Sequence, residues 1–382
     1  MDASSILPNF SLVKGGPLFR AERWLHLVSP RRSSVGWRTL AFALLAWLPL
    51  LVLTLPRGGT ALRSLLAELQ VHAQMLLALP VFIAAEPYVD GRITLAARQF
   101  LVSHLVGVGS RPAFERSART AMRWRDSSLA EACLLVGAFA LSLVSGLDSH
   151  LEWAVTGANG SPSPAGWWYL TVSQPLFRFL ALRWLFRGVL WAYFLFRVSR
   201  LPLALMPSHP DVTGGLGFLP ICQSGFAPVV FALSVVVSAY TWDTQPRGLA
   251  SGPLPYILPL VVQGAIAAVA VFAPLGFFTP QLVKAKRRGD SAFSALAAWH
   301  SRHFERKWFH EHPGDELLGA PDFSSLIDLG SSFTVARKMR LFPWDSRSLL
   351  GFAAASLAPL VILLMMDRKF LAVLKQVHGW LF

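Results

Sequence analysis

The sequence predicts an all-α fold: a polytopic transmembrane helix bundle of about seven spans, with its N-terminus in the cytoplasm. Three observations predict it. Of the 382 residues, 54% are hydrophobic and 15% charged, whereas ordinary soluble domains carry about a quarter charged residues. The apolar residues arrive in blocks of about 18 or more, the length that crosses a bilayer. The basic residues lie between those blocks and gather at alternate gaps, the asymmetry expected of cytoplasmic loops. The same counts exclude a disordered tail, a coiled coil and a nucleic-acid-binding arm. A net charge of +14 would otherwise suggest nucleic acid. Here it reads as membrane topology, and no nucleic-acid partner is expected.

Taken in order, residues 1–38 form a polar, basic N-terminal segment. No small-residue cleavage site follows the first apolar block closely, so that block reads as a span and not as a removable signal peptide. The spans expected are Thr39–Leu55, Leu69–Ala85, Leu129–Leu147, Leu176–Phe196, Phe218–Tyr240, Leu254–Phe278 and Leu349–Met366. His72 and Gln74 weaken the second, and Glu86-Pro87 ends it. Residues 86–128 form a basic cytoplasmic loop, helical around Ile93–Leu105 and Ala113–Arg125. Residues 148–166, with Gly157, Gly160, Pro162 and Pro164, form a polar external connection, followed by Trp167 and Trp168 at the membrane interface. Residues 279–348 form the largest soluble piece, with helical patterns over Ser291–Phe309 and Phe323–Met339. Prolines 49, 80, 228, 259, 274 and 359 fall inside spans, where neighbouring helices can satisfy the freed carbonyls. Residues 367–382 form the tail.

Sidedness follows from charge. One set of gaps holds 26 Lys/Arg and the other 6, with three more inside the fourth span. The first set becomes cytoplasmic. Deleting the second span would export seven arginines, and deleting the fourth would export the eleven basic residues of 279–348, so both must cross. The last span exports Arg368, Lys369 and Lys375, and a re-entrant hairpin or interfacial helix competes there. Of the 35 basic residues, 28 are arginine, which suggests a GC-rich bacterial genome. Cys133 and Cys222 fall in or beside apolar blocks, which excludes a disulfide framework and a cysteine-built zinc site.

The arginines of the fourth span carry the most information. At 100° per residue, Arg183, Arg187 and Arg197 lie within about 80° of one another. An arginine at the bilayer centre costs about 2.5–3.5 kcal/mol on insertion scales, so something must offset it. In one reading Arg183 and Arg187 face a wet cavity or an anionic ligand such as a lipid phosphate, with Gln263 at mid-depth and His72 nearer the outer side. In the other they pair with Glu86 or Glu131 through helix tilt and fix the bundle. The turn from His209 to Leu219 is a second candidate. Its glycines permit positive φ, and its exposed amides at a helix N-terminus suit an anion, while Asp211 would equally cap the turn. The Gly-Lys-Ser/Thr ending of a phosphate loop is missing. The run His300, His303, Glu305, His310, Glu311, His312 does not match His-Glu-x-x-His, and Arg302, Arg306 and Lys307 would oppose a cation. It reads as an amphipathic helix at the headgroups. No metal site and no cofactor is expected.

Leu176-Phe177-Arg178 with Leu182-Arg183-Trp184-Leu185, the His209–Leu219 run, Asp328-Leu329-Gly330 through Arg340-Leu341, and Ala85-Glu86-Pro87 resemble a family of uncharacterised multi-pass proteins from bacterial inner membranes. The resemblance covers most of the chain from the second span onward. It departs at Thr334, where that family often places an acidic residue after the Ser-Phe pair. It implies location and architecture, and no reaction. Three classes of function remain. The first is a non-enzymatic scaffold, sensor or binding component, using 279–348 to hold a protein partner or anionic lipid. The second is a transporter or channel lined by Arg183, Arg187, Gln263 and His72. The third is an embedded enzyme with His209 and Asp211 as its catalytic pair. The first is expected, so the chain is read as not an enzyme.

Overall fold

The computed structural model describes residues 10–24, 35–147, 151–156, 161–244, 254–310 and 321–366. Its helices are α1 Gly16–Trp24, α2 Val35–Thr54, α3 Gly59–Ala67, α4 Leu69–Val102, α5 Arg111–Arg125, α6 Ser128–Ser145, α7 Pro164–Val198, α8 Phe218–Thr244, α9 Leu254–Phe272, α10 Thr279–Glu305, α11 Pro321–Arg337 and α12 Ser346–Met366. The only described strands are the two-residue pair Val155–Thr156 and Ser161–Pro162. Six helices are long and apolar enough to cross a membrane. A further apolar helix, α12, packs along α8 and α9 within the bundle. The molecule is an all-α membrane helix bundle of about seven spans. The tail 367–382, Gly157, Gly160, Glu311 and His312 lie outside the described residues.

Two helices run well past the spans read from hydropathy. The second does not end at Glu86-Pro87: α4 continues to Val102, and its last turns absorb the helix expected near Ile93. The fourth starts twelve residues early, at Pro164. Charge ends a hydrophobic block without ending a helix. Glu86 and Asp90 on α4 are 5% and 4% exposed, and their partners lie inside the protein, so the backbone has no reason to break. Prolines are absorbed in a similar way. A proline ring presses on the carbonyl four residues back, which for Pro80 is Leu76 and for Pro175 is Thr171. Both carbonyls sit in single π-helical turns, Ala73–Ala78 and Tyr169–Ser173, which widen the ladder where the ring needs room.

Of the N-terminal segment, residues 10–13 are threaded into the bundle instead of lying in solvent. Phe10, Leu12 and Val13 are buried, and the Phe10 ring sits 5.0 Å from Phe194. Asp90 Oδ1 accepts from Ser11 Oγ at 2.7 Å and from Leu12 N at 3.2 Å, while Thr94 Oγ1 donates to Phe10 O. The first turn of α1 is received by carboxylates: Gly16 N donates to Asp126 and Leu18 N to Glu131, the charge sign that a helix N-terminus favours.

On the opposite face, the loop before α7 docks through Gly166. A Cβ there would come within 2.1 Å of Ala154 O, so only glycine admits this approach. Arg57 donates to the carbonyls of Trp153 and Val155 in the same loop. On the basic face, α10 continues from α9 through a tight turn over Ala273–Phe278. It buries Leu282, Ala285 and Gly289, and beyond them pairs with α11 through stacked Phe293 and Phe333 and a salt bridge, Lys307–Asp322.

Candidate functional site

Two arrangements on the basic half of the bundle draw in the residues singled out from sequence. The first is a charge cluster. Glu86, from α4, sits between three guanidinium groups: Arg38 at 2.7 Å, Arg187 at 2.9 Å and Arg183 at 3.3 Å. Arg38 reaches Glu22 of α1 at 2.8 Å, and Arg183 reaches Glu131 of α6 at 3.3 Å. Arg183 and Arg187 also donate to the carbonyls of Gly15 and Val13. Three arginines thus face three glutamates across α1, α2, α4, α6 and α7. Burial pushes the Glu22 carboxyl above its ordinary value, with Arg38 pulling the other way.

Of the two readings of Arg183 and Arg187, the distances describe the pairing one. Both side chains are under 10% exposed and have protein partners. Their depth also differs from the sequence expectation. Arg38 stands in the first turn of α2, so the cluster lies at the basic-face end of the bundle. Because α7 begins at Pro164, Arg187 lies well past the middle of its helix. The sequence reading missed Glu22 and Arg38. The one signal available was that Glu22 is one of two acidic residues, with Asp2, in a basic N-terminal segment.

Gln263 and His72 are not part of the cluster. Gln263 Oε1 accepts from Ser234 Oγ at 2.8 Å, where Ser356 also approaches, joining α8, α9 and α12. His72 pairs with Glu68 O and lies beside the Trp47 ring. Near it, Gln174 Nε2 donates to Gln74 Oε1 at 3.1 Å, linking the two π-helical turns. His303 pairs with Trp299 O, and His300 lies 3.4 Å from Ser325 Oγ. Among the described residues no group of three His, Cys, Asp or Glu side chains is placed to hold a metal.

The second arrangement is a polar groove of about 650 Å³ where α8 and α12 begin, lined by Tyr88, Asp211, Ser224, Arg340, Asp345 and Arg347 among others. It brings together two stretches distant in sequence, since Arg340 N donates to Val212 O at 2.7 Å. The His209–Leu219 turn forms the anion nest that its glycines suggested, with Gly214 and Gly215 at φ +68° and +97°. The anion in it is the chain's own: Asp211 Oδ1 accepts from Thr213 N and Gly215 N, and Oδ2 from Gly217 N. Partial burial pushes the Asp211 carboxyl up, and the three amides outweigh it and hold it below the ordinary value. His209 Nδ1 lies 2.9 Å from Asp211 Oδ1. Asp345 is likewise engaged, accepting from Ser348 N and Oγ at the start of α12.

The acids of the groove already accept hydrogen bonds, Asp211 on both oxygens and Asp345 on Oδ2, while its two arginines are exposed. Arg340 spans the Trp344 ring and donates to Trp344 O, and both Arg340 and Arg347 are exposed. Arg92, outside the groove lining, is tied to its residues Tyr88 and Ile221. Two helices begin here, and their partially positive N-terminal ends already receive Asp211 at Gly217 N and Asp345 at Ser348 N. The groove can hold an anionic group. No protein-family model, curated protein or solved structure matches this chain.

Proposed function

We propose that the protein is a non-enzymatic component of a bacterial inner membrane that binds an anionic lipid headgroup at its cytoplasmic, basic face. The observation that carries this reading is the groove where α8 and α12 begin, in which backbone amides hold Asp211, Ser348 N and Oγ hold Asp345 Oδ2, and Arg340 and Arg347 stay exposed. Basic side chains near anionic lipid contribute about 1 kcal/mol each, so the pair is worth a few tens-fold in affinity. An arginine-lined anion pathway has less support, because Arg183 and Arg187 spend their charge on Glu86 and Glu131. Catalysis by His209 and Asp211 has less support too, because both oxygens of Asp211 are already accepting hydrogen bonds.

The test is retention of phosphatidylglycerol by the detergent-released full chain, read by native mass spectrometry against phosphatidylcholine. Arg340→Gln with Arg347→Gln should cut phosphatidylglycerol affinity by about 10- to 30-fold and leave phosphatidylcholine unchanged. Equal retention by wild type and the double variant defeats the reading. A second reading, a protein partner on the α10–α11 hairpin, is favoured by Trp299, Phe309 and Ile327, which are 53%, 65% and 70% exposed on elements that project from the bundle.

A further inference from the structure

A second cavity, of about 240 Å³, lies within the spanning part of the bundle, between α4, α7, α8 and α9. Its walls are apolar, with Trp184, Trp191, Phe226 and Leu233 among them. Along α7 the lining residues include the small Ala181, Gly188 and Ala192, and a Cβ built on Gly188 meets no atom within 4 Å. At its rim Leu185 is 61% and Val189 56% exposed. Those side chains belong to the apolar, lipid-facing flank of a spanning helix, so the cavity opens sideways toward hydrocarbon.

One polar side chain breaks the apolar lining. Gln223, in the first turns of α8, is 1% exposed. An indole N–H only donates, and that of Trp191 donates to Gln223 Oε1 at 3.1 Å. This fixes the orientation of the amide. Its Nε2 carries two N–H donors and has no partner among the described residues. Buried donors are almost always satisfied, and in hydrocarbon no water is at hand to satisfy this one.

The depth of each group says what would. Gln223 is near the basic-face end of α8, and Leu233 lies ten residues further in, about 15 Å along a helix. That is half of the ~30 Å hydrocarbon layer. Ala192 and Ala181 mark the same two levels on α7, which runs the other way. The cavity thus has a polar end at the headgroup side and an apolar end at the midplane, the polarity of a lipid in one leaflet. Its volume falls below the about 300–1,000 Å³ of sites that enclose a whole small molecule, so it suits a segment of chain whose remainder stays in the bilayer.

The geometry points to a lipid site in the leaflet on the basic face. A hydrocarbon chain passes between Leu185 and Val189 and lies over Gly188, and a carbonyl oxygen at its head end accepts the free N–H of Gln223. Glycerolipid esters and prenylated quinones share that chemistry. This site is separate from the groove and stands whether or not Arg340 and Arg347 bind a headgroup.

The experiment uses the full chain in bilayer discs with three diazirine probes: a phosphatidylglycerol, a prenylated quinone and an alkane without oxygen. Adducts are mapped by peptide mass spectrometry. Adducts on residues 181–192 and 267–274 should exceed those on lipid-facing α6, with the ester or the quinone probe dominating according to the source. Gly188→Leu fills the cavity and should lower adducts at 181–192 about tenfold, with α6 unchanged; Gly188→Ala, a milder change, should lower them less. Gln223→Leu should lower labelling by the carbonyl probes about three- to tenfold, the factor one hydrogen bond carries, and leave the alkane unaffected. Labelling no higher than on α6, or indifferent to Gly188→Leu, overturns the site. So does a photoreactive side chain at position 188 that joins another stretch of this chain instead of lipid. Equal losses for all three probes in Gln223→Leu overturn the role of the amide.

Discussion

Glu86 is one carboxylate answering three guanidinium groups, and its position explains why the fourth span can carry arginines at all. Arg183 and Arg187 would each cost several kcal/mol alone in hydrocarbon. Placed against Glu86 and Glu131, neither is alone, and Arg187 also lies past the middle of α7 toward the basic face. Buried pairs of this kind contribute little net stability over a well-packed apolar core, yet removing one partner strands the other charges. Glu86→Gln keeps the shape and removes the charge that three arginines share. It should lower stability by about 3–5 kcal/mol, read as unfolding in detergent followed by tryptophan fluorescence. Arg197, on the same helix but outside the cluster, is the control, and Arg197→Gln should change little. Comparable losses from the two substitutions would mean that the cluster is not the keystone its distances imply.

At the scale of elements, hydropathy located the spanning helices, misjudged the ends of two, and gave no sign of α1 or α3. Leu129–Leu147 was legible almost to the residue because the apolar block and the helix stop together, at a Ser127 cap on one end and Gly146 at φ +63° on the other, and it appears as Ser128–Ser145. The second span was read short because Glu86 and Asp90 look like loop residues until their partners are known. The N-terminal strap was invisible in sequence: its few apolar residues make no block, and what holds it is Asp90, Asp126 and Glu131, all more than 70 residues away. The turn before α8 was half legible. Its glycines announced an amide nest, and only the fold decided between a ligand and Asp211 as its occupant. This element carries a pH prediction. Asp211 is held below its ordinary value in the folded protein, so its carboxylate adds stability that is complete above that ordinary value and lost as pH falls through the lowered one. The difference in melting temperature between wild type and Asp211→Asn should be full at neutral pH and close as pH drops below the usual carboxylate range. A difference that stays constant with pH would assign the effect to shape and not to charge.

The molecule as a whole was the most legible level, because the bilayer sets block length for the entire chain at once. Pairings such as Arg38 with Glu22, or Ser234 with Gln263 and Ser356, depend on which helix lies beside which, and no periodicity encodes that. The sidedness argument is correspondingly testable as one unit. The long helix α7 separates Ser161, exposed ahead of its first turn, from Arg200, exposed just after its last. If the basic face is cytoplasmic, these positions lie in different compartments. In a background with Cys133→Ala and Cys222→Ala, Ser161→Cys should react with a membrane-impermeant maleimide in intact cells. Arg200→Cys should react only after permeabilisation. Because α7 carries Arg183 and Arg187, reaction of both positions from the same side would remove the crossing on which a cytoplasmic charge cluster, groove and Gln223 cavity all depend.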